Sequence, residues 1–338
     1  MSHAAPGGQA WTQHRERSNL ATLRLMRWIA TALGRRVARG VLWPISLYFL
    51  LFGGAAARAS RDYLALVLGR PPSWVERYRH IHHFAATVLD RVYLLMGRLN
   101  LFDLHLHGMD VFDEALLDDE GVLLIGAHLG SFEALRAIGQ HRQGLRIAMV
   151  MYEDNARQIN ATLQAIAPDA PLHVIPLGRL EAMLQLRGWL DGGGVAGMLA
   201  DRTLAGAAPR SHSHTLNFLG RPATFVDGPF RLAALLRRRV LFMTGLYQGG
   251  AGYELRILPL ADFRQKASDP AAQDEAIRAA LARYVAVLED LCRESPYNWF
   301  NFFDFWAGAD ALGPQAVSPA ALKPAPDRDP SAHVARPS

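Results

Sequence analysis

Residues 122–133 read VLLIGAHLGSFE and combine a strong strand pattern with a distinctive set of polar residues. The short apolar run that ends at Ala127 is typical of a strand buried on both faces. A helical pattern follows from Phe132 to Gln140. A strand that passes directly into a helix is half of a β-α-β unit, so the stretch predicts an α/β fold with a parallel sheet.

The same alternation of strand and helix patterns continues along the chain after residue 100. Strands are predicted at Leu101–His107, Val122–Ala127, Arg146–Met151, His173–Pro176, Val195–Ala200, Val240–Tyr247 and Tyr253–Pro259. Helices are predicted at Phe132–Gln140, Asn155–Ala167, Arg179–Asp191, Pro229–Arg238 and Asp274–Cys292, and further helices lie between Leu64 and Leu99 with a break at residues 70–73. We therefore expect a mainly parallel central sheet with helices on both faces and an active site at the carboxyl ends of its strands.

His128 and Glu133 lie where the first buried strand ends and the next helix begins. We expect Glu133 to reach back from the first turns of the helix and to fix the tautomer of His128, which leaves the second ring nitrogen as a base. The amides of Gly130 and Ser131 are expected to point into the same space and to bind an oxyanion. The alternative is a histidine that caps a strand, a glutamate at a helix start, and Ser131 as a helix N-cap.

Composition and charge narrow the class of protein. Of 338 residues, 50% are hydrophobic and 20% are charged, which excludes a disordered chain and a polytopic membrane protein. Cys292 is the single cysteine, so an internal disulfide and a zinc site of paired cysteines are excluded. Residues 1–110 carry 14 basic and 6 acidic side chains, a formal charge of +8, while the rest carries −3. Positive charge in the most apolar part of the chain favours an anionic membrane surface, and no motif supports nucleic acid as a partner.

The N-terminal region combines a basic helix with an apolar run. Residues 20–39 have the pattern of a basic amphipathic helix, and residues 41–57 are seventeen uncharged residues bracketed by arginines. Seventeen residues lie at the lower edge of the about 17 to 25 that span a bilayer, and Pro44, Gly53 and Gly54 are expected to kink such a helix. Three interpretations stay open: a spanning or re-entrant anchor, a helix in the membrane interface, and a buried core helix.

These patterns divide the chain into four segments. We expect a mobile lead-in over residues 1–19, a basic and apolar membrane anchor over 20–61, an α/β domain over 62–307 and a disordered tail rich in Ala and Pro over 308–338. Two groups of histidines, His80 with His82 and His83, and His105 with His107, have no cysteine or carboxylate to complete a ligand set. We therefore predict no metal and no cofactor.

The motifs of this chain resemble those of the lysophospholipid-acyltransferase-like superfamily, in which a His is followed after four residues by Asp or Glu. Within it, the chain is most similar to the late acyltransferases of lipid A biosynthesis, the lauroyl and myristoyl transferases of Gram-negative bacteria. The likeness extends from Val41 to Trp306 and depends on the order of several motifs. They are the apolar N-terminal segment, GAHLGSFE at 126–133, GMLADR at 197–202, FLGRPAT at 218–224 and YNW at 297–299. The ending YNWFNFFDFW resembles that of acyltransferases found in aryl polyene lipid gene clusters, so the acceptor stays open.

The resemblance implies a glycerol-phosphate-acyltransferase-like fold and a membrane-associated O-acyltransferase at the cytoplasmic face of the inner membrane. The donor it implies is a fatty acyl thioester of acyl carrier protein or, as the less favoured carrier, coenzyme A, and the acceptor is a hydroxyl of a lipid A-like glycolipid or a phospholipid. His128 is then the general base and Glu133 orients it. Asp201 is implied in substrate binding with Arg202, which stands where the family often has Gln or His, and Arg221 is the next candidate for an anionic group.

Two other functions are compatible with the same residues. A thioesterase or lipid hydrolase would use water in place of the acceptor. A catalytically silent lipid-binding protein would bind lipid and change no thioester. Acyl chain length and oligomeric state are not encoded in these motifs.

Overall fold

The computed structural model describes residues 32, 34–117, 120–135, 144–152, 173–178, 180–202 and 212–307. The helices in these ranges are α1 (Gly34–Phe52), α2 (Gly54–Leu68), α3 (Trp74–Leu95), α4 (Met109–Ala115), α5 (Leu180–Asp191), α6 (Gly228–Leu236) and α7 (Pro270–Glu294). The strands are β1 (Asp103–His107), β2 (Val122–Gly126), β3 (Ile147–Tyr152), β4 (His173–Leu177), β5 (Val195–Leu199), β6 (Ser213–Phe218), β7 (Arg221–Val226), β8 (Arg239–Gly249) and β9 (Gly252–Asp262). Short 3-10 helices lie at Leu99–Leu101 and Glu133–Leu135.

Seven strands form one sheet in the order β1-β9-β8-β2-β5-β3-β4. Its neighbours pair in parallel except β8 and β9, which form an antiparallel hairpin. The mixed α/β fold with a mainly parallel sheet is therefore confirmed, and each of the seven predicted strands is present within two or three residues of its expected bounds. The order places β2 in the centre, directly beside β5 and β8.

The sheet is buried on both faces because helices pack against each of them, and successive side chains of a strand point into opposite cores. Along β2, Leu123 and Ile125 join a core with residues of α2, α5, α6 and α7. Val122 and Leu124 join a second core with residues of α1, α3 and α4. This double burial explains why β2 is a continuous apolar run.

The structure adds elements that the patterns did not predict. β6 and β7 form a separate antiparallel hairpin, and the sequence SHTLNF of β6 lacks a clean alternation of polar and apolar residues. The seven-residue helix α4 was also missed. Of the helix predicted from Phe132, residues 133–135 form a 3-10 turn and residues 136–140 lie outside the described residues, as do Asn155–Ala167, the lead-in 1–19 and the tail 308–338.

The predicted break in the apolar segment lies between α1 and α2, which meet at an angle of 92°. A Cβ at Gly53 would overlap the backbone carbonyl of Phe49, and Gly54 has a φ of +52°, so this corner favours glycine. Pro44 lies inside α1. Across the described ranges, no helix taken alone has the length and apolarity to cross a membrane, and only the bent pair of α1 and α2 passes that test together.

Two arginines of the N-terminal region turn towards the protein. Arg35 donates to both carboxylate oxygens of the fully buried Asp90 in α3, at 2.8 and 2.9 Å, and Arg39 reaches the same carboxylate at 3.3 Å. Arg35 therefore faces α3. Most of the predicted basic helix over residues 20–39 lies outside the described residues. The ion pairs attach α1 to the α/β domain.

Candidate active site

His128 and Asp201 meet at the carboxyl edge of the sheet. Each follows a strand, His128 after β2 and Asp201 after β5, and these two strands are parallel neighbours whose ends lie side by side. The Nδ1 of His128 lies 2.8 Å from Oδ1 of Asp201, and the backbone N–H of His128 donates to Oδ2 at 3.0 Å. The carboxylate thus holds both the ring and the backbone of the histidine.

The surroundings of Asp201 keep its carboxyl group ionised. Burial raises the pKa of this carboxyl, but the opposing effects of His128 and Arg202 are together larger, so the pKa lies below its usual value. An ionised carboxylate only accepts hydrogen bonds, so in the neutral imidazole of His128 the hydrogen is on Nδ1 and Nε2 has the lone pair. The side chain of His128 is 33% exposed, and its Nε2 has no hydrogen-bond partner among the described residues. Such an imidazole is suited to take a proton from a bound molecule.

Glu133 occupies a different place from the one expected. Its carboxylate lies 2.7 Å from Nε of Arg91 in α3 and accepts from the hydroxyl of Ser131 at 3.2 Å. The prediction that Glu133 orients His128 is thus corrected, because the orienting contact at Nδ1 belongs to Asp201. The chain between the two residues turns at Gly130, which has a φ of +71°. Glu133 begins a 3-10 turn and does not extend back to the ring of His128.

The amides of Gly130 and Ser131 are already used inside the protein. Gly130 donates its N–H to the carbonyl of Asn298 at 2.8 Å, and Ser131 donates its N–H to the carbonyl of Gly245 at 2.7 Å. An N–H that is donated in this way is not available to an oxyanion, so this structure does not support the expected oxyanion site. The two residues instead fix the turn that follows His128. The Ser131 hydroxyl donates to Glu133, and no backbone N–H of the described residues donates to it as in a helix N-cap.

A segment after α7 covers the turn and was not recognised as part of the site beyond its YNW motif. Phe300 donates its N–H to the carbonyl of His128 at 2.8 Å, and Leu129 pairs with Trp299 in an antiparallel bridge. The indole Nε1 of Trp299 donates to Oδ2 of Asp201 at 3.1 Å. No spacing rule links residue 299 to residue 201, so only the resemblance of the motif pointed to this region.

The two arginines expected to bind anions lie in different parts of the fold. Arg202 follows Asp201 directly, donates to the carbonyl of Phe300 at 3.0 Å, and lies 5.2 Å over the ring of Phe303. Arg221 begins β7 and lies 5.7 Å over the ring of Trp306. The structure therefore brings Arg202 next to the His128–Asp201 pair and places Arg221 on the β6–β7 hairpin.

His80, one of the three histidines of α3, packs against the segment that covers the site. His80 is buried, with Nδ1 2.8 Å from the hydroxyl of Ser60 and Nε2 2.8 Å from the carbonyl of Trp299. Burial lowers the pKa of His80 to about 4, so the ring is neutral near pH 7. It therefore connects α2 and α3 to the segment that covers the site.

Comparison with known families agrees with the resemblance of the motifs. The family described as bacterial lipid A biosynthesis acyltransferase matches this chain over residues 12–307. Among curated proteins, no sequence matches the chain.

Proposed function

Since the chain belongs to the bacterial lipid A biosynthesis acyltransferase family and is an acyltransferase that acts on lipids, we propose that it transfers a fatty acyl group from a thioester to a lipid hydroxyl with His128 as the general base. The observation that carries this proposal is the hydrogen bond between Nδ1 of His128 and Asp201, which leaves Nε2 free to act. The donor is acyl carrier protein or coenzyme A, and the acceptor is a membrane glycolipid or phospholipid.

In this mechanism, Nε2 of His128 takes the proton of the acceptor hydroxyl as its oxygen attacks the thioester carbonyl carbon. Asp201 stabilises the imidazolium that forms, as a carboxylate does in hydrolase triads. The tetrahedral intermediate collapses by breaking its C–S bond, and the thiolate that leaves receives the proton from Nε2. The acceptor itself is the nucleophile, so no acyl-enzyme forms.

The neighbouring side chains supply charge and shape. We assign Arg202 to the phosphate of the donor or of the acceptor head group, because it lies beside Asp201 and a guanidinium binds phosphate well. Arg221 is the second candidate for such a contact. Gly130 and Ser131 contribute the turn that holds His128, and Glu133 contributes through Arg91, 2.7 Å away. Arg91 is 34% exposed and stays accessible to an anionic substrate.

Membrane attachment is the second part of the proposal. The buried residues of α1 fall at every fourth position, Ala38, Leu42, Ser46 and Leu50, and form one narrow stripe. The rest of the helix exposes large apolar side chains, which are Val37, Val41, Trp43, Ile45, Leu47, Tyr48, Phe49, Leu51 and Phe52. We call these nine residues the α1 apolar surface. A surface of this size on one helix is typical of insertion into a lipid interface.

The bend after α1 favours attachment within one leaflet. α1 and α2 meet at 92°, and α2 buries Tyr63, Leu64 and Val67 in the core of the α/β domain. We therefore favour an interfacial or re-entrant segment over residues 20–61, docked on the cytoplasmic face of the inner membrane. The anionic lipids of that surface suit the formal charge of +8 on residues 1–110.

The function is tested with purified protein, an acyl thioester donor and a lipid acceptor in mixed micelles. His128→Ala is expected to abolish acyl transfer, while His107→Ala, which changes an exposed histidine of the edge strand β1, retains it. Comparing acyl carrier protein with coenzyme A thioesters identifies the carrier. Full transfer by His128→Ala would reject the assigned base, release of free fatty acid without acceptor would favour a hydrolase, and lipid binding without any thioester turnover would favour a silent binding protein.

A further inference from the structure

Trp299 is the third group that holds the Asp201 carboxylate. Oδ1 of Asp201 pairs with the His128 ring, and Oδ2 accepts both the His128 backbone N–H and the indole N–H of Trp299 at 3.1 Å. Asp201 is 3% exposed and Trp299 is 1% exposed, so water does not compete for this contact. A buried carboxylate needs such donors to remain ionised and in one orientation.

The main chain around Trp299 is held by hydrogen bonds to α3 and to the turn after β2. The carbonyl of Trp299 lies 2.8 Å from Nε2 of His80, and the residues on either side of it are bonded to the turn after β2. Asn298 accepts the Gly130 N–H, and Phe300 donates to the His128 carbonyl, both at 2.8 Å. The indole N–H is therefore aimed at Asp201 by a rigid frame.

The ring around this N–H belongs to a cluster of aromatic side chains, in which it contacts Tyr63, Phe218, Phe305 and Trp306 at centroid distances of 4.9 to 6.1 Å. Trp306 supplies an internal comparison. It is also buried, at 3% exposure, and it packs in the same cluster, but its indole Nε1 has no partner among the described residues. Two neighbouring tryptophans thus share an aromatic cluster, but only Trp299 donates to Asp201, whereas the Trp306 ring lies 5.7 Å from the guanidinium of Arg221.

We propose that Trp299 is a positioning residue for acyl transfer, whose indole N–H holds the Asp201 carboxylate in the orientation that receives Nδ1–H of His128. This inference rests on the proposed function. Trp299 acts through Asp201, so its loss is expected to lower the rate of proton transfer and to leave substrate binding nearly unchanged.

The kinetic test compares Trp299→Phe with Trp306→Phe in the full-length protein. Both variants lose an indole from one aromatic cluster, but only the first removes a hydrogen bond to a charged group. We expect kcat of Trp299→Phe to fall about tenfold or more, with the KM of donor and acceptor within about twofold, and kcat of Trp306→Phe to fall less than about twofold. Equal losses in the two variants would overturn the inference.

A double-mutant cycle shows whether the effect passes through Asp201. In an Asp201→Ala background, Trp299→Phe is expected to cause no further loss of kcat, because the group that it positions is gone. An added loss as large as in the wild-type background would assign Trp299 a packing role only and contradict the inference.

A spectroscopic measurement tests the hydrogen bond between Trp299 and Asp201 without measuring enzyme turnover. The seven tryptophans are labelled with ¹⁵N in the indole, and the Trp306 signal is identified with Trp306→Phe. In Asp201→Ala, one indole N–H proton signal other than that of Trp306 is expected to move upfield, because a hydrogen bond to a carboxylate is lost. An unchanged set of indole signals would refute the contact even if Trp299→Phe does not fold. If the wild-type protein transfers no acyl group, the proposed function is rejected, but the indole signals still test the contact between Trp299 and Asp201.

Discussion

His128 and Asp201 are joined by two hydrogen bonds, from Nδ1 to Oδ1 at 2.8 Å and from the backbone N–H to Oδ2 at 3.0 Å. One carboxylate therefore fixes the ring and the chain that carries it, and Nε2 is the nitrogen left for a substrate. The pair is formed by two neighbouring parallel strands, so the central sheet itself sets its geometry.

Glu133 and Arg91 are expected to act as one unit. Glu133→Gln removes the charge that Arg91 faces at 2.7 Å, and Arg91→Gln removes the partner. Because each change breaks the same ion pair, the double variant is expected to lose little more activity than the worse single variant. kcat/KM of the three variants measures this coupling. Fully additive losses would show that Glu133 acts on something other than Arg91.

The turn after His128 is expected to tolerate no side chain at position 130. Gly130 has a φ of +71°, and an added Cβ would overlap the carbonyl oxygen of Gly245. Gly220 is a matched control, with a φ of +81° and no atom within 4 Å of an added Cβ. We expect Gly220→Ala to cost about 1 kcal/mol and Gly130→Ala clearly more, because it adds a clash to the same backbone strain. Urea unfolding measures both, and equal losses would contradict the close approach.

The α1 apolar surface is expected to control membrane binding. Phe49 and Phe52 are 53% and 71% exposed, and replacing both with Ser removes apolar area that insertion would bury. At about 25 cal/mol per Å² of apolar surface, binding to anionic vesicles should weaken at least tenfold. Leu235→Ser changes an equally exposed residue, at 68%, on α6 and is expected to leave binding unchanged. Co-sedimentation with vesicles measures the binding of the wild-type protein and the two variants. Similar binding by all three would show that another part of the protein attaches it to the membrane.

Stability is expected to fall in mild acid, and His80 is one of the groups responsible, together with His83, whose pKa burial also lowers to about 4. The pKa of His80 in the folded protein is about 4, below the ordinary value of about 6.5, so the unfolded chain gains a proton between these values while the folded chain does not. Unfolding is therefore favoured as the pH falls from about 6.5 towards 4, and the stability is recovered above that window. His80→Gln is expected to remove roughly 2 kcal/mol of the loss between pH 7 and pH 5.

The free energy of unfolding at the two pH values, measured with urea, tests this prediction. His107→Gln, in which the changed side chain is 59% exposed, is the control. The same pH dependence in His80→Gln and in the wild-type protein would show that His80 does not contribute to the loss.

The sheet was largely predictable because its strands are buried on both faces and carry continuous apolar runs, as Val195–Leu199 shows. The hairpin β6–β7 was not, because its burial is mixed and its pairing depends on a turn in which Leu219 has a φ of +54°. The break between α1 and α2 was predicted from Gly53 and Gly54. An added Cβ at Gly53 would overlap the carbonyl of Phe49, and Gly54 has a φ of +52°, a conformation that favours glycine.

The site was predicted in part. His128 was identified from its position after β2, and Asp201 was identified with a different role, since its contact with His128 depends on the order of strands in the sheet. A sequence does not state that β5 lies next to β2. Local spacing favoured Glu133 as the partner of His128, but the Glu133 carboxylate forms an ion pair with Arg91 of α3. Contacts of this kind link residues far apart in the chain and leave no periodic signal.

The most direct test of the account is kcat of Asp201→Asn for acyl transfer, measured with the KM of both substrates. The amide removes the charge and favours the wrong tautomer of His128, so we predict a fall in kcat of about a hundredfold or more, with both KM values within about twofold. A variant that remains folded and keeps kcat within about twofold of the wild-type value would contradict the assignment of Asp201 as the partner of the catalytic base.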